Sequence, residues 1–166
     1  MTTEPTTITQ PTLRVHRLDD RAVLPQYHSD RAAGLDLAVC LPRHDFDADT
    51  VTIHPAHKGG TILKLPLGFS CAIPDGYEGQ VRPRSGLSTK RGVTIPNAPG
   101  TIDSDYRGEM FVALINLGQD PVEIRHGDRV AQLVIAPVAH TLIEETNELD
   151  ETSRGSGGFG STGGHS

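Results

Sequence analysis

An all-β fold is what this sequence predicts: a barrel or jelly roll of many short strands, with at most one short helix. Three observations carry that prediction. Apolar residues recur mostly at a spacing of two, the period of a half-buried strand. Groups of turn-forming residues interrupt these runs at short intervals. The composition is rich in glycine (18) and proline (12) and contains no tryptophan, a balance that favours tight turns over long helices.

The elements follow in chain order. Residues 1–11 hold five threonines and two prolines and have too little apolar content to order themselves, so a loose tail is expected there. The folded part begins near residue 12. Period-two spacing then marks Leu13 and Val15; Leu35 and Leu37; Phe69, Cys71 and Ile73; Phe111, Ala113 and Ile115; and Ala131, Leu133 and Ile135. Between them lie Pro42, His57-Lys58-Gly59-Gly60, Pro74-Asp75-Gly76, Pro99-Gly100, Gly118-Gln119-Asp120-Pro121 and His126-Gly127-Asp128. A short helix is expected at Ser88 to Arg91, and the motif-free stretch from Arg43 to Gly60 reads as a surface excursion. The β domain is expected to end near residue 149. Beyond it, six of the thirteen residues 154–166 are glycine, which predicts a flexible arm over 150–166.

Length and charge narrow the function classes. A chain of 166 residues fits one domain with a real core. Cys40 and Cys71 show no CxxC spacing and read as small apolar core residues. No run approaches the roughly 20 apolar residues of a membrane span, and the N-terminus has no signal-peptide pattern, so a cytoplasmic protein is expected. The formal charge of -6 argues against broad nucleic-acid binding, and a polyanion would need a local basic pocket.

Five segments offer such chemistry. In the arm, glycines let backbone N–H groups turn towards an anion, and Arg154, Ser156, Ser161 and Thr162 add a guanidinium and hydroxyls. The bland reading is a Gly/Ser linker, against which Phe159 stands out as a lone aromatic able to stack on a flat ligand. Around Arg82-Pro83-Arg84-Ser85-Gly86, a fixed bend, a forked cation, a hydroxyl and an open backbone suit phosphate oxygens, though a solvated basic turn would look the same. The stretch Asn97 to Gly108 reads as a hairpin loop with Asp103 as a candidate general base, and its acids alone would pass for turn formers. Gln132 alternates with apolar Ala131 and Leu133, either buried and in need of a partner or simply facing outward beside an Asp-Arg surface pair. Asp36 sits in an apolar strand, where coordination of a metal-bound water and a structural hydrogen bond are both open. His54-x-x-His57 lacks a third ligand and reads as solvated.

Taken together and in register, AGLDL (33–37), PRSGLS (83–88), NAPGTIDSDYRGE (97–109), GDRVAQL (127–133) and RGSGGFGSTG (154–163) resemble the five motifs of the homotrimeric dUTPase family. The resemblance implies a distorted jelly roll and Mg²⁺-dependent hydrolysis of dUTP to dUMP and pyrophosphate, which limits uracil in DNA and supplies dUMP for dTMP synthesis. It implies that Asp103 activates the water attacking the α-phosphorus. It places Asp36 on a water of the magnesium ion, with no direct protein ligand. It assigns phosphate oxygens to Arg84, Ser85, Gly86, Gln132, Arg154, Ser161 and Thr162. It assigns the uracil edge to Asn97 and the hairpin, the deoxyribose face to Tyr106, and stacking on uracil to Phe159. Gly100, Thr101, Ile102, Arg107 and Gly160 complete the implied substrate set. A homotrimer with active sites at subunit interfaces follows from the same resemblance, without nucleic acid or membrane partners. The related dCTP deaminases carry a glutamate ten residues after the aspartate matching Asp103. Ala113 stands there in this chain, and Tyr106 stands where they carry tryptophan, which disfavours deamination. A non-enzymatic scaffold role is the alternative of a different class.

Overall fold

Short runs of alternating side chains, cut by glycine and proline turns, can satisfy their backbone groups only by pairing with one another. A computed structural model describes residues 10–42 and 49–158. Among them are ten strands: β1 (Arg14–Arg17), β2 (Leu35–Ala38), β3 (Thr50–Ile53), β4 (Leu63–Ala72), β5 (Tyr77–Pro83), β6 (Val93–Thr94), β7 (Gly100–Ile102), β8 (Glu109–Asn116), β9 (Val122–Arg125) and β10 (Arg129–Pro137). They form sheets ordered β1-β4-β8-β6 and β2-β10-β5-β7, with β3-β9 as a small third pair. All strand pairings are antiparallel. No helix among the described residues is long and apolar enough to cross a membrane.

The core fills the space between the inner faces. Leu37, Leu41, Ile53, Leu65, Leu67, Phe69, Met110, Leu114, Ile124 and Leu133 are its large fully buried side chains, each contributing roughly 1.5–3 kcal/mol by leaving water. Cys40 and Cys71 are free and buried. Burial, with a smaller push from Asp19, raises the Cys40 thiol to about 11, so it packs as a small neutral group.

Three features depart from the sequence reading. In β8 the buried row is Met110, Val112 and Leu114, while Phe111, Ala113 and Ile115 face outward half-buried. Both rows are apolar, so the period of two could not choose the face. The helix, α1, runs Ser85–Arg91, starting three residues early, and ends where Gly92 takes a left-handed φ of 71°. The described part of the expected surface excursion is tied in: β3 pairs with β9, and Ile53 is fully buried. The last strand ends at Pro137, and Leu142, Ile143 and Leu149 beyond it are exposed.

One buried polar residue holds three segments together. Asn116, fully buried, donates from Nδ2 to the carbonyls of Ile53 (2.9 Å) and Asp120 (2.8 Å) and accepts from the Gly118 N–H (2.8 Å). Its amide therefore substitutes for backbone pairing at the corner where β3, β8 and the turn into β9 meet. Replacing it by alanine orphans two carbonyls and one N–H. Asn116→Ala is expected to lower stability by about 1–3 kcal/mol, read as a shift of the urea midpoint at fixed protein concentration.

Candidate functional site

Strand β10 lies between β2 and β5, and its register decides which side chains share the outer face. Gln132 is opposite Asp36 on β2 and Arg82 on β5. On β10 the pairing shifts between Arg129 and Ala131, a β-bulge that inserts one extra residue. Regular alternation would send Arg129 to the opposite face from Gln132. The bulge instead lets Val130 and Ala131, both buried, point inward in succession, so Arg129 and Gln132 both reach the outer face.

There the Asp36 carboxylate, with 15% of its side chain exposed, gathers cations. Arg84 Nε stands 3.1 Å from Oδ1, and Arg129 Nη1 donates to Oδ2 at 2.9 Å. His28 Nε2 lies 3.3 Å from Oδ2. Arg84 also donates from Nη1 to the backbone carbonyl of Arg129 at 2.9 Å. Gln132 donates from Nε2 to the Pro83 carbonyl at 3.0 Å. Gly34 lies so close to it that a Cβ there would meet Gln132 Oε1 at 2.7 Å. Arg84 is the N-cap of α1 in an extended conformation. Ser85 and Gly86 open that helix and are exposed, with nothing near Gly86 where a side chain would be. The turn thus offers a cation, a hydroxyl and a bare backbone on one side.

The hairpin residues lie at the other edge of the same sheet, since β7 pairs with β5. Asn97, Gly100, Thr101 and Ile102 line a cavity of about 210 Å³ floored by Val81, Ile95 and Phe111. A second cavity of about 260 Å³ adjoins it, with Thr101, Ile102, Asp103 and Tyr106 on its wall. Asp103 is exposed, and its carbonyl accepts from the Tyr106 N–H at 3.2 Å. The Tyr106 hydroxyl donates to the Glu109 carbonyl at 2.9 Å, which stands the ring beside Asp103. Lys64 reaches both cavities, its Nζ 4.0 Å from the Phe111 ring centroid.

The structure therefore brings Asp36, Arg84, Ser85, Gly86 and Gln132 together, and separately Asn97, Gly100, Thr101, Ile102, Asp103 and Tyr106. Ile102, next to Asp103, pairs with Gly79, and Arg84 stands beyond the far end of the same strand β5, so roughly 16 Å along the strand separates Asp103 from the turn within one chain. Arg107 joins neither group: its Nη1 donates to the carbonyls of Ser104 (2.7 Å) and Tyr106 (2.8 Å), and it borders a groove with Arg14 and Asp75. Among the described residues, the Arg154 side chain bonds only within its own turn, to the Gly157 carbonyl at 2.9 Å. Phe159, Gly160, Ser161 and Thr162 lie outside the described residues. Sequence reasoning missed Arg129 and His28 as partners of Asp36, and Lys64 beside the hairpin. Arg129 had passed for half of an Asp-Arg surface pair, whereas Asp128 turns away to accept from the Arg125 N–H.

The chain is thus an antiparallel jelly roll with a phosphate-suited turn after β5, and comparison with known proteins gives its family. The dUTPase family model matches residues 20–163, and the chain belongs to the dUTPase family. The deoxyuridine 5'-triphosphate nucleotidohydrolase of Desulfotalea psychrophila is 57% identical over 140 residues, covering 84% of this chain and 87% of its relative. That of Syntrophotalea carbinolica is 51% identical over 152 residues, covering 92% and 97%. Among solved structures, the Staphylococcus bacteriophage 80alpha dUTPase with dUpNHpp matches with a TM-score of 0.78 at 26% identity, covering 92% of this chain and 98% of that one. A dUTPase of phage phi11 of S. aureus, solved with a structural Mg(II) ion, shares the fold with a TM-score of 0.69 at 24% identity, covering 82% and 97%.

Glycine at 108 leaves room for the tyrosine beside Asp103, because a Cβ there would meet the Tyr106 hydroxyl oxygen at 2.4 Å. The ring is 41% exposed and can swing away. Gly108→Ala is expected to keep stability within about 1 kcal/mol while changing the tyrosine near-UV circular dichroism.

Proposed function

We propose that this protein is a dUTP diphosphatase: water attacks the α-phosphorus of dUTP in line, dUMP and pyrophosphate leave, and the proton of the attacking water passes to a carboxylate. The observation that carries the reading is the meeting of a phosphate-suited turn, Arg84-Ser85-Gly86, with Gln132 and a half-buried acid on the face shared by β2, β10 and β5, in a chain 57% identical to one deoxyuridine 5'-triphosphate nucleotidohydrolase and 51% identical to another. In this reading Arg84, Ser85, Gly86 and Gln132 take phosphate oxygens. Charge neutralisation and alignment make up most of what phosphoryl chemistry asks of a protein.

Asp103 is the base in this proposal. It is exposed on the hairpin, free to meet a water at the α-phosphorus, and one carboxylate suffices to orient and deprotonate it. Asn97 and the backbone of Gly100 to Ile102 read the uracil edge in the hairpin cavity, and Tyr106 packs on the deoxyribose where a 2′-hydroxyl would clash. Arg154 with Phe159, Gly160, Ser161 and Thr162 closes over the bound nucleotide, excluding bulk water until release. Arg107, committed to carbonyls of its own loop, supports the hairpin in this reading more readily than it reaches the nucleotide.

Mg²⁺ held by the triphosphate would supply charge neutralisation at the phosphates. Asp36 suits a contact to one of the ion's waters, since a carboxylate has about four acceptor positions and three are engaged by Arg84, Arg129 and His28. Asp103 follows the end of β7 that pairs with Gly79, away from the Arg84 turn beyond the far end of β5, so one chain does not close around a single nucleotide. A homotrimer with sites at its interfaces would bring the turn of one copy to the hairpin of another. The outward row Phe111, Ala113 and Ile115 and the exposed Leu142 and Ile143 supply apolar surface for such contacts.

Pyrophosphate release from dUTP, compared with dTTP, dCTP and UTP with and without Mg²⁺, tests the function. Release from dUTP alone, dependent on Mg²⁺, is the expected result, and ammonia from dCTP would point to deamination instead. Asp103→Asn is expected to cut turnover by about 10³-fold, within the range of general-base loss, and to leave nucleotide affinity nearly unchanged. Equal loss of binding and turnover in calorimetry and kinetics would remove Asp103 from the base role.

A further inference from the structure

Arg84 is the one cation of the phosphate-suited turn, yet a long arginine side chain on an exposed turn has many rotamers. What fixes it is a closed ring of contacts. Arg84 Nε faces Asp36 Oδ1 at 3.1 Å, Arg129 Nη1 donates to Asp36 Oδ2 at 2.9 Å, and the Arg129 carbonyl takes the Arg84 Nη1–H at 2.9 Å. We propose that Arg129 is a positioning residue: its guanidinium locks the second oxygen of Asp36 and so holds Arg84 in the one orientation that presents its free edge to a phosphate.

The geometry supports this in four ways. A carboxylate gripped through one oxygen can still turn about its terminal torsion, which is broad and soft. Gripped through both, it is a fixed plane against which a guanidinium can align. The hydrogen bond the Arg84 side chain makes to another described residue runs through Nη1, and its ion pair through Nε, so Nη2 is left to meet an anion. Two arginines converging on one turn would repel each other without the acid between them, and Asp36 is screened little because only 15% of its side chain is exposed. The β-bulge between Arg129 and Ala131 puts Arg129 on this face, a distortion of the ladder that a surface ion pair would not require. His28, whose side chain is 42% exposed, is an accessory third contact on the same acid.

The proposal rests on reading the site as a triphosphate site, and it differs from one in which Arg129 grips phosphate itself. A double-mutant cycle separates them. Arg129→Met is expected to lower kcat/KM for dUTP about tenfold or more in the otherwise unchanged protein, and less than about threefold on an Asp36→Asn background, where the anchor is already gone. Arg129→Lys should recover part of the loss. An equal loss on both backgrounds would mean direct contact with substrate and would overturn the positioning role. Arginine Nε–H relaxation of the full chain without nucleotide gives a second readout: Arg84 should be rigid in the native protein and mobile in Arg129→Met, while an unchanged Arg84 refutes the clamp. This measurement stands even if the native protein releases no pyrophosphate from dUTP, an outcome that would sink the proposed function alone.

Discussion

Strand β10, hydrogen-bonded to β2 on one side and β5 on the other, sets the geometry on which the rest of the site depends. Alternation along a strand has a period of two, so a slip of one residue against β2 would turn Asp36 or Gln132 into the core and expose Leu133 or Leu37. Burying an unpaired carboxylate is far costlier than any gain in pairing, and both leucines are fully buried in the observed register. Core packing therefore fixes the register, and the register delivers the polar residues to the outer face. The bulge at Val130 modifies this at one point only, bringing Arg129 onto the side its acid partner occupies.

Much of this was legible in the sequence because it is local. Short alternating runs and glycine-proline turns predicted an all-β fold, and the strands at Leu35, Phe69 and Ala131 formed where the spacing put them. The failures are also physical. In β8, apolar residues occupy both parities, and only the position of the neighbouring sheet selects Met110, Val112 and Leu114 for the core. In the segment containing β3 the apolar pair Val51 and Ile53 does keep the two-residue period, but the stretch carries no motif to single it out, and it is held by pairing with β9 and by Asn116, both distant in sequence. Helix α1 began before its expected start because its first residues, Ser85 and Gly86, look like turn formers. Their helical state depends on Arg84 carbonyl contacts that close the first turn.

The candidate site divides along the same line. The residue types suited to phosphate chemistry, Arg84, Ser85, Asp103 and Gln132, could be picked out from motifs. What each touches could not. Asp36 meets Arg84 from 48 positions away in the chain and Arg129 from 93, so its electrostatic setting is a product of sheet order. A lone acid in an apolar strand left a metal-bound water and a structural contact equally open, and the fold supplies two arginines and a histidine that make it first of all a structural hub.

That hub also bears on how an acidic protein handles a polyanion. The chain carries a formal charge of -6, so its long-range field repels a triphosphate, and recognition has to come from charge concentrated at short range. Arginines at 84 and 129 around a single half-buried carboxylate concentrate positive charge that is only partly compensated before the ligand arrives. Asp36 holds the cations in place and neutralises only part of them, leaving a net positive corner where Ser85 and the bare backbone of Gly86 face outward. On the proposed reading, the acid hairpin must stay away from this corner until a nucleotide bridges them, because Asp103 beside an empty arginine cluster would form an ion pair and lose its role as base. Within a chain Asp103 lies past the end of β7 that pairs with Gly79, remote from the turn after Pro83, which prevents that pairing; on the proposed reading, productive contact between them belongs to assembled copies and bound substrate together.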